Sequence, residues 1–297
     1  MRVFLTGATG FIGSAIIPEL LGAGHQVLGL TRSGAGAQAL EAAGAQVHRG
    51  ELLDLDSLRD GASQADAVIH TAFDHDFSHF LANCEKDRNA IAALGDAIRG
   101  TSKPLIITSG TGLGDAGPGR LAQEDIYNAD HPNPRKASEE AGAALSEAGV
   151  DVRVVRLPQV HDTVKQGLIT PLVAITREKR VSAYVGDGAN RWPAAHVLDV
   201  ARLYRLALEQ GQPGARYNAV AEEGIAAKQI AETLGAGLGV PVASLSAQEA
   251  AAHFGWLGMF VGLDMAASSA KTREQLGWTP TGPGLIADLE RMDYSAT

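Results

Sequence analysis

Glycines at positions 7, 10 and 13 stand between a short apolar run, Val3-Phe4-Leu5, and a helical apolar pattern at Phe11, Ile12, Ile16 and Leu20. A strand that turns sharply into a helix leaves unpaired N–H groups aimed at one spot, with the positive end of the helix dipole behind them. Phosphate binds to such a spot. Gly7 permits the tight turn, Gly10 removes the side chain that would block a diphosphate, and Gly13 lets the helix lie against the sheet. Thr6, Thr9, Phe11 and Ile12 complete the loop. The spacing is G-x-x-G-x-x-G rather than G-x-G-x-x-G, and its place between strand and helix points to a dinucleotide.

Thr31-Arg32-Ser33 closes the second apolar run. A site for NAD usually places a carboxylate there to hold the ribose hydroxyls. None is present, and the Arg32 guanidinium suits a 2′-phosphate. NADP is the expected cofactor, with NAD the alternative; the plainer reading of Arg32 is a solvated charge. Glu51 could accept from an adenine amino group while the Leu52 backbone pairs with the ring, or Glu51 could be a solvated loop acid. His75 and His79 are four apart, so on a helix they would share a face and could bind a metal. Asp76 is short for the hydrolase pattern and no third ligand is evident, so no metal is expected. Gly110, Gly112, Gly114, Gly117 and Gly119 lack a following P-loop signature and read as a flexible lip.

These residues need elements to hold them. Apolar runs predict strands at 2–6, 26–30, 46–48, 66–70, 104–108 and 152–156, with helices at about 11–23, 36–43, 55–61, 77–99 and 134–148. Such alternation implies an α/β chain, a Rossmann-type doubly wound parallel sheet covered on both faces. Residues 1–157 are expected to form the dinucleotide-binding domain, with parts of 187–220 packing back onto it. Residues 158–297 are expected to form a smaller substrate lobe over the carboxyl ends of the strands. Within the second half, 196–208 reads as an amphipathic helix and 224–238 as another.

Of 297 residues, 45% are hydrophobic, enough for a core and a second lobe. The formal charge of −9 argues against nucleic acid and anionic membranes as partners. One cysteine, Cys84, excludes an internal disulfide and fits a cytoplasmic location. No signal peptide is legible, and no apolar run approaches membrane-spanning length.

In order and spacing, Thr6–Gly13, Gly50–Asp54, Val68–Ala72, Leu105–Gly114, Val155–Pro158, Gly186–Gly188, His196–Asp199, Tyr217-Asn218 and Leu276–Pro280 resemble the short-chain dehydrogenase/reductase superfamily. The branch is the extended and atypical one, which includes the NAD-dependent epimerase/dehydratase-like proteins. The resemblance implies a Ser, Tyr and Lys acting on a substrate oxygen. Ser109 stands where the Ser belongs and Lys136, followed by Glu140, where the Lys belongs. Pro132 occupies the Tyr position, and Asp87 that of the usual Asn. The proton must then come from a substitute: Tyr127 and His131 lie in the same loop, with His75, His79 and Tyr184 further off. A general acid contributes roughly 10²–10⁴-fold, so its loss slows such chemistry without abolishing it.

The resemblance also implies cofactor contacts from Thr71, Ala72, Lys136, Pro158 and Val160. It further implies a substrate cavity lined by His161, Arg191, Trp192 and His196. The plainer reading makes His196 and Asp199 helix caps and Arg191 a surface ion partner. Phe254, Trp256, Met259 and Phe260 could cover an apolar pocket, or pack on a neighbouring helix or a second subunit. Related proteins are often dimers, so a homodimer is expected.

The reading is an NADP(H)-dependent oxidoreductase for a small carbonyl or alcohol substrate, with Ser109 orienting the substrate oxygen. The alternatives are a sugar-nucleotide epimerase or dehydratase, and a non-catalytic NADP(H)-binding sensor.

Overall fold

Val3 and Leu5 of β1 (Arg2–Thr6) belong to one packed layer and Phe4 to the other, and all three are fully buried. β4 (Ala67–His70) repeats the pattern, with Ala67 and Ile69 on one side and Val68 on the other. Strands apolar on both faces need cover on both faces, and the order of elements supplies it. The computed structural model describes residues 1–295.

The remaining strands of the first half are β2 (Gln26–Thr31), β3 (Gln46–Arg49), β5 (Leu105–Gly110) and β6 (Val152–Leu157). Between them run α1 (Phe11–Gly22), α2 (Gly34–Ala42), α3 (Leu55–Ser63), α4 (Phe80–Ile98) and α5 (Lys136–Glu147). The second half supplies β7 (Gln159–His161), α6 (Ile169–Lys179), β8 (Ser182–Val185), β9 (Arg191–His196), α7 (Val197–Gln210), β10 (Arg216–Asn218), β11 (Glu222–Ala226), α8 (Ala227–Leu238), β12 (Val242–Leu245), α9 (Ala247–Phe254), α10 (Gly258–Val261), α11 (Ala270–Leu276) and α12 (Leu285–Arg291).

Seven parallel strands form the main sheet in the order β10-β6-β5-β4-β1-β2-β3. The fold is Rossmann-like. The direction of strand addition reverses between β1 and β4, and ligands of open α/β sheets bind at the carboxyl ends beside that point. α1 and α7 pack together, as do α3, α4 and α5. β10 therefore returns to the first sheet from the second half. α7 and Trp278 also join the first core, while α6, α8 and α9 build a separate core around Trp192, Phe254, Leu257 and Leu285, beside the small sheets β11-β9-β7 and β12-β8.

Three elements differ from expectation. The helix predicted over 77–99 is broken: Asp76 caps a 3-10 turn at Phe77–His79, and α4 starts afterwards at Phe80. α2 starts two residues early because the Ser33 hydroxyl accepts from Gly36 N at 3.0 Å. The start of the helix predicted over 224–238 is instead β11, paired antiparallel with β9, and α8 follows.

Candidate active site

The turn after β1 accepts only glycine at two places. Gly7 has φ +68°, and a Cβ there would lie 2.7 Å from the amide nitrogen of Ala72 and from Thr71 Oγ1. A Cβ on Gly13 would strike the Gly7 carbonyl group, with its carbon at 2.8 Å and Ala8 Cα at 2.9 Å. Gly10 N donates to Gly7 O at 2.8 Å and closes the turn, while Gly10 itself and Thr9 are exposed. No side chain caps α1, so its first amides have no side-chain partner. A diphosphate fits this cradle. Phe11 and Ile12, half-buried, seat the helix start on the core.

Thr6 departs from its expected role as a cofactor contact. Its side chain is fully buried and its Oγ1 lies 2.7 Å from His70 Nδ1, so it ties β1 to β4 beneath the turn. Thr71 donates its hydroxyl to Thr6 O at 2.8 Å, and together with Ala72 it walls the turn.

At the far end of the cradle, Arg32 is exposed and has no ion partner among the described residues. Arg49, at the end of the neighbouring β3, donates from Nη1 to Ser33 O at 2.5 Å. Two guanidiniums therefore flank the start of α2, which adds its own positive dipole end. Thr31 is buried beneath Gly36 and is not free for a ligand, whereas Ser33 is exposed and, although its oxygen accepts the capping bond, keeps its O–H to donate. Glu51 is exposed and Leu52 half-buried in the loop after β3.

On the other side of the switch point, Ser109 is 3% exposed and its Oγ has no hydrogen bond of ordinary geometry. It faces Glu139 of α5. Burial acts against ionisation of Glu139, but Arg156, then Ser109 and Arg216, hold its pKa below the usual carboxylate range. Arg156 grips both Glu139 oxygens at 2.7 and 2.9 Å and is fully buried, while Arg216 donates to the same carboxylate at 2.8 Å. Tyr127 adjoins this cluster, with the Arg216 guanidinium 5.4 Å from its ring centre and its buried hydroxyl unpartnered.

The phase of α5 sets Lys136 apart from the inward face of the helix. The inward residues at the start of this helix are Arg135, Ser138 and Glu139. Lys136 instead donates to Ala129 O at 2.9 Å in the preceding loop, and Glu140 pairs with Arg88 at the surface. Lys136 thus ties that loop to the helix through one of its three N–H donors. His131, in the same loop, accepts from Asn133 N through Nδ1, which leaves the proton of the neutral ring on Nε2, near Gly112.

Arg135 is the residue that motif reading passed over. Its Nη1 donates to Asp87 Oδ2 at 2.6 Å and to Ser138 Oγ, its Nη2 donates to Thr108 O at 3.2 Å, and its guanidinium lies 3.9 Å from the centre of the Phe73 ring. Asp87 also meets His70 Nε2 at 3.1 Å and accepts from Ser138 at 2.6 Å. A continuous hydrogen-bonded chain thus runs from Thr6 under the glycine turn, through His70 and Asp87, to Arg135, which bonds the carbonyl of Thr108, the residue before Ser109. The charge of Arg135, the bond from His70 and the bond from Ser138 keep Asp87 ionised against the penalty of burial.

The glycine cradle and these side chains lie in one matched region. Residues 3–219 fit the model of the NAD dependent epimerase/dehydratase family. The chain belongs to that family. An uncharacterized protein of Schizosaccharomyces pombe is 45% identical over 295 residues, covering 99% of this chain and 100% of its own. A 2-alkyl-3-oxoalkanoate reductase of Stenotrophomonas maltophilia is 29% identical over 233 residues, covering 72% of this chain and 67% of its own. Among solved structures, a dTDP-glucose 4,6-dehydratase of Streptomyces venezuelae with NAD and TYD bound has a TM-score of 0.77 at 20% identity, over 98% of this chain and 95% of that one. Members of the family are NAD(P)-dependent enzymes.

For an epimerase/dehydratase-family chain, the second lobe corrects several substrate expectations. Arg191 clasps Asp264 through its backbone N, Nε and Nη2 at 2.8, 3.1 and 2.8 Å, so its charge is neutralised at the surface. Trp192 is 2% exposed, and with Tyr184 it lines a cavity of about 20 Å³ inside the lobe, room for a single water. His161 is fully buried against Asp288 at 2.7 Å, and His196 caps α7. Val160 belongs to the core beside Ala195 and Val197 and offers no surface to a cofactor, whereas Pro158 is half-buried between β6 and β7. His75 precedes the 3-10 turn and His79 bonds Asp76, so the two do not share a helix face. His75 lies edge-on to Phe73, with 5.2 Å between ring centres. Solvent reaches its ring, yet the surrounding protein and then the Arg135 charge lower its pKa.

Proposed function

We propose that this chain is an NADP(H)-dependent oxidoreductase that reduces a small carbonyl compound or oxidises the matching alcohol. The glycine cradle carries the reading: it admits no side chain at Gly7 or Gly13 and leaves the start of α1 open for a diphosphate. The nicotinamide, when bound, supplies or accepts a hydride. Thr71 and Ala72 border the cradle, and Arg32 and Arg49 hold the 2′-phosphate. Ser109 donates its hydroxyl to the substrate oxygen. Arg135 places a fixed positive charge beside that oxygen as negative charge develops there.

Tyr127 is the proton source in this scheme. Its pKa is raised, by burial first and then by the charges of Glu140 and Glu139, so the hydroxyl keeps its proton through the neutral range. Reductive kcat is expected to stay level between about pH 6 and 9. His131 has its pKa lowered by burial. If His131 were the acid, the reductive rate would fall as pH rises on the acid side of the ordinary histidine range and would be low at neutrality. A pH–rate profile separates the two.

NADPH consumption should be followed against aldehydes, ketones and sugar nucleotides. Ser109→Ala should lower kcat at least ~10-fold with the Kd for NADPH unchanged. NADPH binding with neither NADPH consumption nor conversion of any of these substrates would leave the sensor reading; conversion of a sugar nucleotide without net NADPH consumption, read by product chromatography, would favour the epimerase/dehydratase one. Arg191, locked to Asp264, offers no free cation for a nucleoside diphosphate.

Arg32→Ala and Arg49→Ala should each weaken NADPH about 10-fold and leave NADH unchanged, because a charge-assisted bond to phosphate is worth ~1.5–3 kcal/mol. Equal losses for both cofactors would show that the 2′-phosphate is held elsewhere.

A further inference from the structure

Only seven phenylalanines occur in the chain, and four of them, Phe73, Phe77, Phe80 and Phe260, meet in one cluster with Trp256. The cluster spans the cleft. Phe73, Phe77 and Phe80 come from the segment that follows β4, and Trp256 and Phe260 from the second lobe. At its inner end it reaches the site: the Arg135 guanidinium, bonded to Thr108 O beside Ser109, stacks at 3.9 Å on Phe73. His75 joins from the same side, its ring centre 5.2 Å from that of Phe73 and 6.3 Å from that of Phe77.

These rings are not a closed core. Phe73, Phe77, Phe80 and Phe260 are half-buried, and Trp256 is 38% exposed. The Phe77–Trp256 pair is a flat, parallel stack, 4.4 Å between centres and 7° between planes, whereas the other phenylalanine and tryptophan pairs are edge-on or tilted. Trp256 sits in a 3-10 turn between Gly255, at φ +56°, and Gly258, and it is the outermost ring of the group. Phe77 thus has one face shaped for a planar partner, and the partner now there is half in solvent and flanked by glycines.

Building on the carbonyl-reductase reading above, we propose that the substrate carries a planar aromatic ring, which takes the place of Trp256 over Phe77 and directs the carbonyl toward Ser109 and Arg135. Trp256 then acts as the movable cover of the cleft. A flat ring gains stacking that a saturated ring of similar size does not.

The test compares benzyl alcohol with cyclohexylmethanol on the full chain without cofactor. Binding is read by calorimetry and by tryptophan fluorescence. Trp192 and Trp278 are 2% and 1% exposed, so a fluorescence response to ligand reports Trp256. Benzyl alcohol should bind at least ~5-fold more tightly, with a fluorescence change. Trp256→Leu should abolish the fluorescence response, and Phe77→Leu should erase the preference, with Phe77→Tyr restoring it. Turnover should follow the same order, with kcat/KM for benzaldehyde above that for cyclohexanecarbaldehyde. Equal affinity for the two alcohols, or a preference untouched in Phe77→Leu, overturns the proposal. Discrimination between the alcohols without NADPH turnover on any carbonyl would uphold the aromatic site and defeat the reductase reading. Turnover without discrimination would do the reverse.

Discussion

Gly13→Ala is expected to raise the Kd for NADPH by more than about 100-fold and to destabilise the fold by about 2 kcal/mol. The added methyl carbon would meet backbone on every side, the Gly7 carbonyl and Ala8 Cα, and backbone cannot swing aside as a side chain can. Relief requires α1 to lift from β1. The helix carries Ile16, Ile17 and Leu20 into the core, so lifting it loosens packing while it displaces the amides that face the diphosphate. Gly10→Ala provides the contrast. Its Cβ would meet only Gly7 O, at 3.1 Å, and the position is exposed. Stability should stay within about 0.5 kcal/mol of the parent while NADPH binding weakens at least ~10-fold, because the methyl occupies ligand space. Nucleotide titration and urea unfolding of both variants check the pair. Unimpaired NADPH binding in Gly13→Ala would mean that the cofactor lies elsewhere.

That contrast shows what a sequence states well. Glycine spacing is a record of backbone approach, and backbone approach is local: Gly7, Gly10 and Gly13 report on a turn only a few residues long. The six strands of the first half were legible for a related reason, since Val3-Phe4-Leu5 or Ala67-Val68-Ile69 can be apolar on both faces only in a sheet covered on both sides. β11 was not legible. Its Glu222-Glu223-Gly224 start carries little apolar signal, and its pairing is with β9, far along the chain. The break at Phe77–His79 was hidden because Asp76 acts through a side-chain bond to the backbone N of Ser78, which does not disturb the helical spacing of the apolar residues.

The candidate site divides in the same way. Ser109 could be placed because it ends a strand. The face of α5 could not, because Lys136 with Glu140 and Arg135 with Ser138 and Glu139 are two phases of one helix, and periodicity alone does not choose between them. The choice is made by distant partners: Asp87 takes Arg135 and Ser138, and Arg156 takes Glu139. Arg49 was missed for want of the same information, since only the parallel pairing of β2 with β3 brings it beside Ser33. Arg191 shows the converse. Its residue type suited an anionic substrate, and Asp264, far along the chain, had already claimed it.

Arg156→Met should therefore have the largest effect on stability, a loss of about 3 kcal/mol. The guanidinium is fully buried, holds both oxygens of Glu139, and donates from Nη1 to the carbonyls of Gln123 and Ile126, which fastens the loop beneath Ser109. Methionine fills similar space but leaves Glu139 with Arg216 as its remaining cation and strands the two carbonyls. Adding Glu139→Leu should recover at least about 1 kcal/mol, since removing a buried charge left with one cation, the half-buried Arg216, is favourable where removing its main partner alone is not. Acid supplies a second check. Glu139 has a lowered pKa in the folded chain, so its ion pair contributes stability above the ordinary carboxylate pKa and loses it as pH falls through the lowered value. In Arg156→Met burial is less opposed, and the carboxyl takes up its proton at higher pH. The gap between parent and variant should accordingly be widest near neutrality and narrow below about pH 4. A gap constant from pH 7 to pH 3 would mean that the loss comes from the stranded carbonyls and not from the Glu139 charge. Ser109 reports on the same event, because its hydroxyl faces that carboxylate, and kcat should fall with stability only if the Glu139 charge positions it.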